Sequence, residues 1–296
     1  MIGELAALFT ALVWSFGSLC FTSAGRCIGA LNVNRIRLVL GVLLLGTALL
    51  VSKGWLIQPE MTSENMFYLA ISGLIGLVIG DSFLFTAMVM IGTRLTMLIY
   101  ALSPAIAGLF AWLFIDESLD MIAILGITVT LAGVIWVTRE RRQDDNGKKI
   151  NISVKGILFA FLGGAGQAIG IVFAKKGMGE LIDPLAGTFI RMLAAAVIIW
   201  VFSLFSGKFI STLKTIKNRK GMLFSFGGAF FGPFLGVWMS LVAVKNTEAG
   251  VAMAITSIVP VLVIPWVIIF YKEKVSARAL IGAVIAVIGV FILFLH

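Results

Sequence analysis

Histidine and cysteine are almost missing from this 296-residue chain, which has one histidine, the last residue, and two cysteines, Cys20 and Cys27. So few soft or imidazole ligands exclude the usual zinc and transition-metal centres. The seven-residue cysteine spacing matches no metal or redox motif, so both are read as free thiols. Charge is also scarce, at 12% of residues against roughly 25% in soluble domains. Neither an HExxH helix nor a GxxxxGK[ST] loop occurs, which excludes a zinc peptidase of that type and a P-loop pump. An intramembrane enzyme would need a nucleophile with its base, or paired carboxylates, at one depth. The chain has a single deep carboxylate and is read as a non-enzyme without a cofactor. The charged rings and filter-like glycine loops of channels are missing too.

What the chain has instead is apolar surface: 60% hydrophobic residues and a mean hydropathy of +1.09. Windows of about 20 apolar residues, enough to cross ~30 Å of hydrocarbon as helix, fall near 3–24, 33–52, 66–90, 94–115 and 119–138. Five more fall near 154–174, 184–205, 221–244, 248–270 and 277–295. The expectation is an all-α integral membrane protein of ten transmembrane helices in the cell membrane. Continuous apolar runs disfavour a β-barrel. Glu4 stands where a signal peptide would carry basic residues, so residues 1–24 are read as the first span.

The net charge of +9 does not point to nucleic acid, because the basic residues form no single face or run. They sort by loop into connections 1–2, 3–4, 5–6, 7–8 and 9–10. By the positive-inside rule that side is cytoplasmic and both termini lie outside.

The pattern is stated twice. A shift of 156 lays Arg35 on Arg191, Gly80 on Gly236, Pro104 on Pro260, Glu117 on Glu273, Gly126 on Gly282 and Gly133 on Gly289. Coincident Pro, Glu, Arg and spaced Gly mark an internal repeat. Five spans per copy put the second copy into the membrane upside down, the plan of many secondary transporters. The expected units are residues 1–140, a hydrophilic linker 141–153, and residues 154–296. Glycines seven apart share one helix face and predict a close packing seam, between the halves or between subunits of a homodimer.

Two segments carry a family resemblance, Gly80 to Val137 and Leu235 to Phe294, which share a frame of a Pro in spans four and nine, a Glu just after them, and then two glycines seven apart. With the span count, this pattern resembles the drug/metabolite transporter superfamily in its EamA-type ten-span branch, over the whole chain. The resemblance implies a central cavity walled by spans one, three, four, six, eight and nine. It also implies amino acids or related metabolites as leading cargo, and Trp14 is a residue often seen in span one of the family.

Asp81 lies about ten residues, roughly 15 Å, from the end of span three. An ionisable group at that depth normally faces the bundle interior or a wet cavity. Because burial disfavours charge, Asp81 is the candidate for coupling to protons. Arg35 and Arg191 are read as snorkelling to headgroups, or alternatively as drawing an anionic group inward; Arg37 is read as an interfacial anchor. Glu117 and Glu273 are expected to stabilise the positive ends of the next helices. Pro104 and Pro260 remove a backbone donor and bend their helices mid-span. Polar and aromatic residues at similar depth, Trp14, Ser15, Ser18, Tyr100, Ser103, Gln167, Trp238, Thr256 and Ser257, are candidates for the cavity wall.

The expected function is a secondary transporter, an exporter of a small metabolite working by alternating access, with protons as a possible second substrate. A flippase for a lipid or lipid-linked anionic substrate is the alternative.

Overall fold

The computed structural model describes residues 2–103, 105–106, 121–138, 142–143, 149–150, 153–247, 252, 255–273 and 275–293. Among the described residues, six helices are long and apolar enough to cross a membrane. They are α1 (Ile2–Ile28), α2 (Ala30–Lys53), α3 (Ser63–Ile91), α6 (Val154–Met178), α7 (Pro184–Phe205) and α9 (Arg219–Asn246). Shorter helices are α4 (Thr93–Tyr100), α5 (Met121–Thr138), α8 (Phe209–Thr215), α10 (Val259–Tyr271) and α11 (Ala277–Leu293). In the linker, Arg142–Gln143 and Lys149–Ile150 form a two-residue antiparallel strand pair, a feature unforeseen in so short a hydrophilic stretch.

Local chemistry sets where the helices begin. Thr62 and Asn65 form a reciprocal capping box at α3. Asp183 accepts from the Leu185 amide with Pro184 behind it at α7, and Asn218 caps α9. Each satisfies an amide that the first helical turn leaves without a partner. The single residue between α3 and α4 is Gly92 at φ 83°, a left-handed conformation that costs glycine nothing. That sharp reversal makes α3 and α4 a hairpin.

The polarity of the bundle is inverted relative to a soluble protein. Leu43, Val51, Val197, Phe202 and Phe205 are exposed, whereas Thr10, Asn34, Arg37, Asp81, Thr188 and Arg191 are buried. Lipid accepts the first set without cost; the second set needs partners that only neighbouring helices supply.

α1 packs on α9 and α10, and α6 packs on α3 and α4; α2 packs on α7, and α5 on α11. Under the repeat numbering α1–α9 exchanges with α6–α3, while α2–α7 and α5–α11 each map onto themselves. The α5–α11 seam is where the spaced glycines lie: a Cβ on Gly133 would stand 2.5 Å from the Ala286 amide nitrogen, and one on Gly289 would overlap Thr130. That seam therefore joins the two halves of one chain.

Both α3 and α9 contain a π-helical stretch, Gly73–Gly80 and Phe230–Val237, at repeat-equivalent places. The wider turn brings backbones together. Gly76 meets Gly170 and Gly80 meets Gly166 across α3 and α6, while Gly232 lies against Phe21 and Gly236 against Trp14 across α9 and α1. π-helical insertions occur frequently at functional sites.

Candidate functional site

Two neighbouring chambers lie among the helices of the bundle. The first holds about 610 Å³ of atom-free space, mouth included, among α1, α4, α6, α9 and α10; its polar wall is Tyr100, Ser103, Gln167, Ser240, Thr256 and Ser257. The second, about 500 Å³, reaches Arg37 and Asp81 and is otherwise lined by Phe21, Phe85, Met88 and Met97. Trp14, Tyr100 and Gln167 line both and form the partition. Trp14 and Tyr100 meet edge to face with centroids 6.3 Å apart. Both are mainly apolar with a few convergent polar groups, the lining character of small-molecule sites.

The first chamber lies where helices are interrupted. Turns at Ala101–Leu102 and at Ser257–Ile258 break the helical run at repeat-equivalent positions. Pro260, on the wall of this chamber, cannot donate to the carbonyl four residues back, which belongs to Thr256. Pro104 and Glu117 lie outside the described residues.

A buried charge cluster closes the second chamber. Arg37, 2% exposed, and Asp81, 5% exposed, are ion-paired through Nη2 and Oδ2. The other carboxylate oxygen accepts from Gln167 Nε2 at 2.5 Å. Arg37 also donates to Asn34 Oδ1 at 2.9 Å, and its guanidinium lies 4.9 Å from the Phe85 ring centroid. The expectation that Arg37 anchors at the membrane surface is overturned. The Leu77 carbonyl, inside the π stretch of α3, accepts from Asn34 at 3.0 Å and Arg37 at 3.4 Å, so α2 turns its polar side inward.

Arg191 does not snorkel either. It is 1% exposed, and its Nη2 lies in the crevice made by Gly76 and Gly170. Gly76 is thirteen residues, roughly 20 Å, into α3. Arg35 is buried too, donating to Asn32 Oδ1 and Thr212 Oγ1 at 3.0 Å each, which holds the short helix α8 against α2. Repeat-equivalent in sequence, the two arginines are used differently.

Ser15 and Trp238 stand apart from both chambers. Ser15 Oγ donates to the Leu12 carbonyl at 2.6 Å and accepts from Trp266 Nε1 at 3.0 Å. Trp238 lines a separate crevice with Lys53, Asp183 and Lys245. Ser18 is a wall residue of the second chamber.

On the side of connections 1–2, 3–4 and 9–10, α1, α4 and α10 are laced together. Thr22 meets Thr93 at 2.7 Å, Ser23 meets the Tyr271 hydroxyl at 2.8 Å, and Arg94 Nε donates to Glu273 at 3.2 Å. The amide at Ala279, in the first turn of α11, is capped by Ser276 Oγ at 3.0 Å. Glu273 takes part in an ion pair across the bundle. Sequence reasoning missed Arg94, Arg37 as an interior residue, and the α3–α6 glycine contact. The spacing of Gly73, Gly76 and Gly80 was the available signal for the last.

The description "EamA-like transporter family" matches residues 1–139 and 154–295. Two curated relatives are similar. An "Uncharacterized transporter YvbV" of Bacillus subtilis (strain 168) is 24% identical over 187 residues, 63% of this chain and 58% of that protein, less than two thirds of its length. An "Uncharacterized transporter" of Clostridium kluyveri is 23% identical over 230 residues, 78% of this chain and 72% of that one. A solved crystal structure superposes with a TM-score of 0.67 at 16% identity, over 99% of this chain and 96% of its own, a likeness of fold.

Proposed function

The chain belongs to the EamA-like transporter family, and from that membership we propose a ten-span secondary carrier that exports a small metabolite such as an amino acid. It is a multi-pass membrane transporter; cargo, direction and coupling are the finer reading. Two inverted five-helix halves rock about the central chambers, exposing them to each side in turn. The observation that carries this reading is the pair of neighbouring interior chambers sharing Trp14, Tyr100 and Gln167, beside helix interruptions that recur at equivalent places in both halves. The reciprocal packing of α1 on α9 and α6 on α3 supports a two-fold relation of the halves. The lacing of α1, α4 and α10 supports a state closed on the basic, cytoplasmic side.

Asp81 is the coupling residue in this reading. A proton arriving on its carboxylate would neutralise the partner of Arg37 and free that guanidinium. Counterflow into proteoliposomes across a panel of amino acids, cationic drugs and nucleosides, under an imposed pH gradient, tests the whole scheme. Folded Asp81→Asn is expected to lose gradient-driven transport while exchange partly survives. Full gradient-driven activity in that variant refutes the coupling; no uptake of any soluble solute refutes the metabolite carrier and favours a lipid substrate.

A further inference from the structure

The buried cluster is electrically unbalanced. Among the described residues, two guanidiniums, Arg37 and Arg191, share one carboxylate, Asp81, which leaves this cluster a formal charge of +1. Arg37 takes the ion pair. Among the described residues, Arg191 Nε and Nη2 are buried with no hydrogen-bond partner. A buried guanidinium without a counterion is among the costliest groups a fold can hold, and each unpaired N–H adds its own desolvation penalty. Such a group persists where something else completes it for part of the working cycle.

The surroundings of Arg191 point to what that is. A Cβ on Gly76 would stand 2.8 Å from Nη2 and 3.7 Å from Gln167 Oε1, so the crevice that admits the guanidinium exists because Gly76 has no side chain. Gln167, three residues before Gly170 and on the same face of α6, is a wall residue of both chambers. Its amide donates to Gly76 O at 3.1 Å and to Asp81. A turn of this one side chain would connect Arg191 with the cavity. The planar fork of arginine matches a carboxylate in two parallel bonds. The aromatic partition of Trp14 and Tyr100 beside it suits an apolar body attached to that anion.

We propose that Arg191 is the specificity residue for the cargo's carboxylate, with Gln167 swinging aside to admit it. The proposal rests on the carrier reading and names the chemical class that its site accepts: a small carboxylic acid, zwitterionic or anionic, in preference to its amide or to the corresponding amine.

The test uses purified full-length protein and matched probes, L-phenylalanine against L-phenylalaninamide and phenylacetate against phenylacetamide. Binding is read from intrinsic tryptophan fluorescence. The wild type is expected to bind each acid at least tenfold more tightly than its amide. Arg191→Gln abolishes the preference, and Arg191→Lys retains part of it. Gly76→Ala, which displaces the guanidinium without removing its charge, weakens the acids alone and serves if Arg191→Gln does not fold. Equal or absent responses to acid and amide in the wild type overturn the proposal, as does an acid preference that survives in Arg191→Gln or Gly76→Ala. Counterflow with the same probes separates the two ideas: acids that bind but are not carried leave the anion site standing and sink the carrier.

Discussion

The Arg37–Asp81 pair allows a stability prediction with a sign as well as a size. Breaking a buried ion pair by removing one partner costs about 3–5 kcal/mol, because the survivor is left in the interior uncompensated. The two single variants are not equivalent here. Arg37→Met leaves Asp81 with Arg191 near by, a formal interior charge of zero; Asp81→Asn leaves two guanidiniums and a charge of +2. Arg37→Met is therefore expected near the lower end of that range, and Asp81→Asn near the upper, about two and more than three decades in the unfolding constant at about 1.4 kcal/mol per decade. The double variant Arg37→Met/Asp81→Asn keeps an amide oxygen for Gln167 and removes both charges of the pair. It is expected to cost less than the sum of the singles by about 2 kcal/mol or more. Reversible unfolding in mixed micelles, titrated with sodium dodecyl sulfate and followed by circular dichroism, measures all three. Single effects under about 1 kcal/mol, additive costs, or Arg37→Met more damaging than Asp81→Asn would each refute the electrostatic account.

Arg94→Ala removes a part-buried bond to Glu273 worth up to about 1.4 kcal/mol, which shifts the closed state by up to roughly tenfold. A cysteine at Met97, with Cys20 and Cys27 replaced by serine, should then react with a hydrophilic thiol reagent up to about tenfold faster; an unchanged rate dismisses the latch. Gly133→Ala forces apart the α5–α11 seam, where its methyl would meet backbone, and overpacking of this kind costs about 1–3 kcal/mol. The same unfolding titration checks it, and a neutral result means that the seam is looser than described.

The reach of sequence reasoning differed from residue to residue for physical reasons. Wall residues such as Trp14, Tyr100, Gln167, Thr256 and Ser257 were legible because polar or amphipathic groups in apolar helices stand out at a known depth. Ser15 and Trp238 share that depth but turn to other neighbours, and depth carries no information about helix rotation. Arg37 looked like an interfacial anchor because its distance from the helix start suits snorkelling, and its true partner lies 44 residues away in the chain.

The chain's own letters settled that it is helical and lives in lipid, because backbone groups in hydrocarbon must be bonded within their own segment and a run of side chains reports that locally. They also carry one pattern of prolines and glycines twice, residues whose backbone effects need no context. Only the tertiary structure decided that Arg37 claims Asp81, that Arg191 is buried near by outside that ion pair, and that α3 widens into a π turn to meet α6. Those outcomes depend on which faces of distant helices meet within a few ångströms, and electrostatics in a medium of low dielectric amplifies such small differences in approach.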